Sequence, residues 1–162
     1  MFHGKATTDI ILGVLFLVLG VIWALVIFGF SSQDAEKSAS LSGEVTEVIV
    51  ENFQVQKEPD EVEHIVRKLA HLGEYMVFGA FMFASAAFFL KAWGKSPYIA
   101  LALDVSVCFA YAESDEYHQG FVSGRSPQFT DVLIDTAGGL AAGLIITLVL
   151  LIVKRRRISV NS

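Results

Sequence analysis

The chain carries imidazole, carboxylate and guanidinium groups at the ends of long apolar segments, where they could do chemistry. His71 can take up or release a proton near neutral pH, and Glu74 or Glu116 could be its carboxylate partner. Arg125 could stabilise the negative charge of a bound anion. His71, Glu74 and Glu116 are therefore candidate catalytic residues, and the sequence leaves open whether any bond is made or broken.

The same residues give no sign of a metal centre. The pairs His71 with Glu74 and Glu116 with His118 lack the spacing of a known metalloenzyme motif, and no H-E-x-x-H is present. The one cysteine, Cys108, lies in an apolar stretch and excludes a cysteine-based metal site as well as an internal disulfide. We therefore predict no metal site and no cofactor.

A larger set of polar residues is predicted to lie at one level of the membrane, because they occur at those ends of the apolar segments that fall on the same side. Ionisable groups at membrane depth cost about 2.5–3.5 kcal/mol each, so they usually face the interior of a bundle or a cavity. Lys68, His71 and Tyr75 fall on one helical face, and we expect Lys68 or Arg125 to pair with the carboxylates. The predicted ligand-binding residues are Ser32, Gln33, Arg67, Lys68, His71, Glu74, Tyr75, Glu116, Gln119, Arg125, Asp131 and Asp135.

The loop before the last apolar segment could form an anion site. Ser126 can cap a helix that starts at Pro127, which would place Arg125 beside exposed helix N–H groups. The alternative is that Arg125 simply neutralises Asp131 or Glu116. The two interpretations are compatible if a ligand displaces the internal partner.

Four apolar segments must position these residues. Residues 10–30 contain no charged side chain, a run long enough to cross a bilayer and too long for a cleaved signal peptide. A helix that begins near Pro59, outside the membrane, continues into the second span. We predict an all-α membrane protein, a single domain over residues 1–162 that forms a four-transmembrane-helix bundle with spans at about 10–30, 70–90, 98–118 and 132–153.

The basic residues indicate the direction of the spans. With four spans, Lys5, Lys91, Lys95 and the cluster Lys154–Arg157 all fall on one side, close to the span ends. Cytoplasmic loops carry such an excess of lysine and arginine. We therefore predict that both termini are cytoplasmic and that the connections after the first and third spans lie outside.

The first outer connection contains a helical pattern of its own. Leu41, Val45, Val48, Ile49 and Phe53 recur at helical spacing, with glutamates on the other faces. This pattern predicts an extracytoplasmic amphipathic helix in the first outer loop, lying on the membrane surface or capping the bundle. A merely solvated loop helix would give the same periodicity.

Two further features concern the packing of the spans. Gly139 and Gly143 form a GxxxG pair, which lets helices approach closely in lipid, and we expect internal packing rather than a homodimer face. Asp104 lies within the third span, where we expect a hydrogen bond with a hydroxyl group such as that of Ser85 or Ser106.

Four short stretches at the polar ends of the spans form a recognisable set. They are FSSQ at 30–33, RKLAHLGEY at 67–75, DEYHQ at 115–119 followed by Gly124-Arg125, and DVLIDT at 131–136 with Gly138. In these stretches the chain resembles the VanZ-like family. The resemblance implies a multi-pass protein of the bacterial plasma membrane. The family's named member is linked to low-level resistance to glycopeptide antibiotics such as teicoplanin, but the resemblance supplies no settled biochemical activity.

Three functions remain open from the residues. The first is binding of an anionic lipid-linked or cell-envelope ligand at a polar pocket of the outer leaflet. The second is an integral membrane enzyme acting on a lipid-linked or cell-wall substrate, and the third is a purely structural role for the charged pairs. The expected partners are membrane lipids and a lipid-linked envelope precursor or a lipoglycopeptide. The net charge of −5 argues against nucleic acid, and the oligomeric state is left open.

Overall fold

The computed structural model describes residues 2–33, 40, 43, 46–51, 58–96 and 98–160. Within these ranges the chain is helical and contains no strand. Four long helices account for nearly all of it: α1 Phe2–Ser31, α2 Pro59–Ala92, α3 Tyr98–Gln119 and α4 Phe129–Val160. The all-α prediction is confirmed, and α2 begins at Pro59 as predicted.

Three of these helices are long and apolar enough to cross a membrane. They cover Gly4–Ser31, Glu61–Ala92 and Phe129–Ser159. The third helix, α3, is not among them, because Asp104 and the acidic residues of its last turns interrupt its apolar run. The chain is therefore a multi-pass membrane protein with three apolar helices and a fourth helix of mixed character.

Helix α2 lies at the centre of the bundle and packs against the other three helices. Its close approach to α4 depends on glycine. A Cβ atom at Gly138 would lie 2.5 Å from the carbonyl oxygen of Leu72, and one at Gly79 would lie 2.5 Å from the Cα of Gly139. Gly143 of the GxxxG pair likewise faces Leu101 of α3. These glycines serve internal packing, as predicted.

Two aromatic side chains fasten α1 to its neighbours within the bundle. The indole Nε1 of Trp23 donates a 2.9 Å hydrogen bond to the carbonyl oxygen of Glu74, and the hydroxyl of Tyr111 donates to the carbonyl oxygen of Ala24 at 2.6 Å. The polar atom of each ring is thus satisfied by a backbone carbonyl of another helix.

The hydrogen bond predicted for Asp104 is wrong. Its carboxylate accepts a 3.4 Å hydrogen bond from the thiol of Cys108, one turn along α3. Ser85 instead donates across to the carbonyl oxygen of Gly13, and Ser106 donates back to Ala102 in its own helix. Both serine hydroxyl groups therefore donate to backbone carbonyl oxygens and not to the carboxylate of Asp104.

The amphipathic helix of the first outer loop stays a prediction. Residues 46–51 are helical, and Val48 is exposed. Leu41, Val45 and Phe53, which carry the rest of the pattern, lie outside the described residues. What this segment packs against is therefore not established by the structure.

The glycine contact between α2 and α4 leads to a prediction. We expect Gly138→Ala to lower the free energy of unfolding by about 1–3 kcal/mol, because the new methyl group overpacks the backbone of Leu72. Gly73→Ala is the matched control, since a Cβ there meets nothing within 4 Å. Thermal unfolding in detergent measures both variants. Equal unfolding temperatures for the two would contradict the close approach of these helices.

Candidate functional site

Polar side chains from all four helices meet at one end of the bundle, here called the polar end. Helix α1 ends there at Ser31, α3 ends at Gln119, and α4 begins at Phe129. His71 lies 12 residues after the start of α2, about three helical turns in. A buried hydrogen bond from Ser31 to Asp115 joins α1 to α3 at this level.

The polar end encloses a cavity of about 230 Å³. Basic and acidic side chains of α2 and α4 form its walls, and the loop between α3 and α4 covers it. The volume is below the roughly 300–1,000 Å³ of pockets that bury drug-sized ligands, so it suits a head group or a small anion. Its lining consists of Arg67, Lys68, His71, Gln119, Gly124, Arg125, Ser126, Gln128, Asp131, Ile134 and Asp135.

One hydrogen-bonded chain runs from the loop to the end of α1. Arg125 Nη1 donates to Gln119 Oε1 at 3.0 Å, and Gln119 Nε2 donates to Asp115 Oδ2 at 3.1 Å. Ser31 Oγ donates to the same Asp115 oxygen at 2.7 Å. The network therefore ties a half-buried guanidinium to a carboxylate that is only 3% exposed.

The expected pairing of basic groups with carboxylates holds for Lys68 only. Its Nζ lies 3.0 Å from Asp131 Oδ1, and both side chains are about a quarter exposed. Among the described residues, no carboxylate oxygen comes within 4.0 Å of an Arg125 side-chain nitrogen. Arg125 thus faces the cavity with an amide as its partner, so neutralisation by Asp131 or Glu116 is wrong as a direct ion pair.

The predicted start of the last helix is also wrong. The helix begins at Phe129, two residues after Pro127. Glu116 explains the shift, because its Oε2 accepts a 2.8 Å hydrogen bond from the backbone N–H of Gln128. A carboxylate of α3, rather than the hydroxyl of Ser126, therefore receives an N–H group at the start of α4.

Arg125 is partly desolvated and lines the same cavity as Arg67. Burial lowers the pKa of its guanidinium from the ordinary value, and the positive charge of Arg67 lowers it further, against the opposing effect of nearby carboxylates. Arg67 itself contacts the Nδ1 atom of His64 at 3.2 Å. Two guanidinium groups that line the same cavity would be stabilised by an anion between them.

Three residues of different helices could hold a metal ion. His71, Asp115 and Asp135 each present one ligand atom, and these atoms lie within 4.8 Å of one another. His71 Nδ1 is 3.9 Å from Asp135 Oδ1. This grouping differs from the two pairs considered in the sequence, because its members come from α2, α3 and α4.

Some predicted site residues lie away from the cavity. The hydroxyl of Ser32 donates to the carbonyl oxygen of Phe28 in its own helix, and the fully buried ring of Tyr75 packs between Phe78 and Tyr111. The predicted residues that line the cavity are Arg67, Lys68, His71, Gln119, Arg125, Asp131 and Asp135, whereas Ser32, Gln33, Glu74, Tyr75 and Glu116 do not. Ligand binding by any of them stays a prediction.

Two residues of the network were not among the predicted site residues. Ser31 and Asp115 are buried and bonded to each other, and Asp115 lies four residues before Gln119 on α3. The signal for Asp115 is the spacing of the buried positions of α3, since Cys108, Ala112, Asp115 and Gln119 follow one another at three or four residues. Ser31 lies in the matching stretch FSSQ at 30–33, but spacing does not distinguish it from Ser32, which follows it directly.

Comparison with known proteins gives a family match. A family model described as VanZ/LLP1 matches residues 16–151, which include the second half of α1, all of α2 and α3, most of α4 and the polar end. No curated protein and no solved structure matches the chain. The family match confirms the resemblance found in the motifs.

The buried bond between Ser31 and Asp115 leads to a prediction. We expect Ser31→Ala to lower the free energy of unfolding by about 1–3 kcal/mol, because a buried carboxylate loses a 2.7 Å hydrogen bond. Ser32→Ala is the adjacent control, since that hydroxyl is exposed and bonds only within its own helix. Chemical or thermal unfolding in detergent distinguishes the two. A loss that is no larger for Ser31→Ala than for Ser32→Ala would contradict the network.

Proposed function

We propose, for a chain that belongs to the VanZ/LLP1 family, that the cavity of the polar end binds the anionic head group of a lipid-linked or cell-envelope molecule. The observation that carries this proposal is the convergence of three basic side chains on one cavity. Arg67, Lys68 and Arg125 all line it. Guanidinium groups bind phosphate and carboxylate through parallel N–H donors, which makes them suited to this role.

The state of Arg125 supports a ligand rather than a purely structural cluster. In a structural cluster each buried cation would be expected to meet a carboxylate, because an unpaired charge in the bundle is costly. Arg125 instead donates to the neutral amide of Gln119, with Arg67 nearby. An anion in the cavity would supply the direct ion pair that Arg125 lacks among the described residues.

The size of the cavity supports recognition of the head group alone. A space of about 230 Å³ accommodates a phosphate or carboxylate with a few waters, whereas a glycopeptide or a sugar chain would remain outside it. The exposed rings of Tyr117, Phe121 and Phe129 border an adjacent apolar groove. A lipid tail or the apolar part of a lipoglycopeptide could lie along this groove while its charged end enters the cavity.

The proposed arrangement in the membrane has four spans, with α3 as the third. Tyr98 and Tyr117, near the two ends of α3, are both exposed. They are separated by 19 residues, or about 29 Å of helix, which is close to the thickness of the hydrocarbon core. Exposed aromatic rings at this spacing are typical of the two membrane interfaces.

The proposed orientation places both termini in the bacterial cytoplasm and the polar end outside the plasma membrane. Lys91, at the end of α2, pairs with Asp9 of α1 at 2.7 Å, so the start of α1 and the end of α2 share one side. The basic cluster Lys154–Arg157 continues α4 on that same side. The excess of positive charge on this side supports the proposal that it is cytoplasmic.

A link to glycopeptide resistance follows from this placement. A protein that binds lipid-linked envelope precursors or a lipoglycopeptide at the outer leaflet would change the access of the antibiotic to its target. The chain's family supports this role. The same site could also bind envelope lipids in a cell that meets no antibiotic, which would give the protein a wider role in the envelope.

His71 supports a second candidate function, an integral membrane enzyme acting on a lipid-linked or cell-wall substrate. Its imidazole lines the cavity, 3.9 Å from Asp135 and in the same cavity as the basic groups. An imidazole beside a carboxylate and an anion site could transfer a proton. One measurement distinguishes the two functions. An enzyme would convert a bound polyprenyl-phosphate precursor, whereas a binding protein would release it unchanged.

The basic groups of the cavity lead to a binding prediction. We expect Arg125→Gln to weaken the binding of a polyprenyl phosphate about tenfold or more, because one charge-assisted hydrogen bond contributes roughly 1.5–3 kcal/mol. Arg155→Gln is the control, since Arg155 is exposed near the end of α4. Native mass spectrometry in detergent measures binding of polyprenyl phosphate, phosphatidylglycerol and neutral phosphatidylcholine. Equal binding of the anionic lipids by both variants would refute an anion site in the cavity.

The four-span arrangement leads to a labelling prediction. The one native cysteine, Cys108, is buried, so a Cys108→Ala background permits single cysteines to be placed at exposed Ser96 and Ser123, on either side of α3. We expect a membrane-impermeant maleimide to label Ser123→Cys in intact cells and to label Ser96→Cys only after permeabilisation. Labelling of both in intact cells, or of neither, would show that α3 does not cross the membrane.

A further inference from the structure

We propose that His71, Asp115 and Asp135 form a binding site for a divalent metal ion at the inner wall of the polar cavity. The three residues come from α2, α3 and α4, so the site would join three helices. Their ligand atoms are an imidazole nitrogen and two carboxylate oxygens within 4.8 Å of one another. Ligands around one ion are about 3–4.5 Å apart when each bond is about 2.0–2.3 Å, so only a small contraction is needed.

The carboxylate of Asp135 is the second observation that points to a cation. Its side chain is 1% exposed, and none of the described residues forms a hydrogen bond with either of its oxygens. Asp115 Oδ1 and His71 Nδ1 are likewise buried without a hydrogen-bond partner in the described part of the chain. An unpaired buried carboxylate costs several kcal/mol. Each of the three residues offers one ligand atom that lies within 4.8 Å of the other two.

Among the described residues, no lysine or arginine forms a direct ion pair with these two carboxylates. Lys68 binds Asp131, and Arg125 binds Gln119. His71 is the only basic group of the described residues within ion-pair distance of Asp135, at 3.9 Å, and it carries charge only when protonated. A divalent ion would compensate both carboxylates and leave the imidazole neutral, which is the form that binds metal.

Asp115 is held in the manner of a metal ligand. Ser31 and Gln119 donate hydrogen bonds to its Oδ2, at 2.7 and 3.1 Å, whereas its buried Oδ1 has no hydrogen-bond partner among the described residues. Metal-bound carboxylates are usually oriented by such donors, and loss of a donor typically reduces metal affinity 10- to 100-fold. Ser31 and Gln119 are therefore positioning residues for this site.

The ligand set indicates the class of metal. One imidazole with two carboxylates suits Mn²⁺, Zn²⁺ or Fe²⁺, whereas Ca²⁺ prefers oxygen ligands alone. Three protein ligands leave coordination positions open, and the cavity adjoins them because His71 and Asp135 line it. An anionic head group could take such a position; this last step rests on the proposed function, whereas the metal site does not.

The test uses the metal alone, with no lipid added. Full-length protein in detergent is stripped with EDTA, desalted and titrated with Mn²⁺, and free Mn²⁺ is followed by electron paramagnetic resonance. We expect saturable binding of a single ion per chain. Asp135→Asn and Asp115→Asn should each weaken binding more than tenfold. Glu113→Gln should not, since Glu113 is an exposed carboxylate of the same helix.

A second measurement covers variants that fail to fold. In the Mn²⁺-loaded natural protein, pulsed resonance should detect nitrogen coupling from the His71 imidazole, and Mn²⁺ should raise the unfolding temperature. Stripped protein that binds neither Mn²⁺ nor Zn²⁺ would overturn the proposal and favour a proton shared by the buried carboxylates. Binding without nitrogen coupling, or binding retained by Asp135→Asn, would overturn it too. The Arg125→Gln lipid assay reports on the anion site separately.

Discussion

The polar end exists because an ionised side chain inside a membrane bundle must meet a partner or pay a large desolvation penalty. Every helix contributes to meeting this constraint. Ser31 of α1 bonds Asp115 of α3, Lys68 of α2 bonds Asp131 of α4, and Glu116 of α3 receives an N–H group at the start of α4. The helices are thus joined by polar contacts at one end.

Small residues and the central position of α2 make these contacts possible. Where Gly138 and Gly139 of α4 face α2, the two backbones come close enough that a methyl group would collide. The polar side chains of α4 are therefore held against those of α2 by packing in the apolar part of the bundle. Packing between apolar helices and charge pairing at their ends depend on each other, since lipid itself offers no hydrophobic drive for helix association.

The sequence predicts what local spacing determines. The apolar runs predict α1, α2 and α4, and the proline marks the start of α2. Charge predicts that a basic residue such as Lys68 pairs with a carboxylate, but it does not predict that the partner is Asp131. Partners across helices depend on how each helix is rotated, and spacing along the chain does not contain that information. This is why Ser31 and Asp115 were missed, why Asp104 bonds Cys108 instead of a serine, and why His71 meets Asp115 and Asp135 instead of Glu74.

The side-chain amide of Gln119 has a consequence for communication within the polar end. Its oxygen accepts from Arg125, while its nitrogen donates to Asp115, so its orientation is set from both ends. A charged molecule that drew the guanidinium away would free the amide to turn and would remove a donor from the deeper carboxylate. Binding of an anion at Arg125 and binding of a positive charge at Asp115 would then be thermodynamically linked. Each would change the affinity for the other by the same factor.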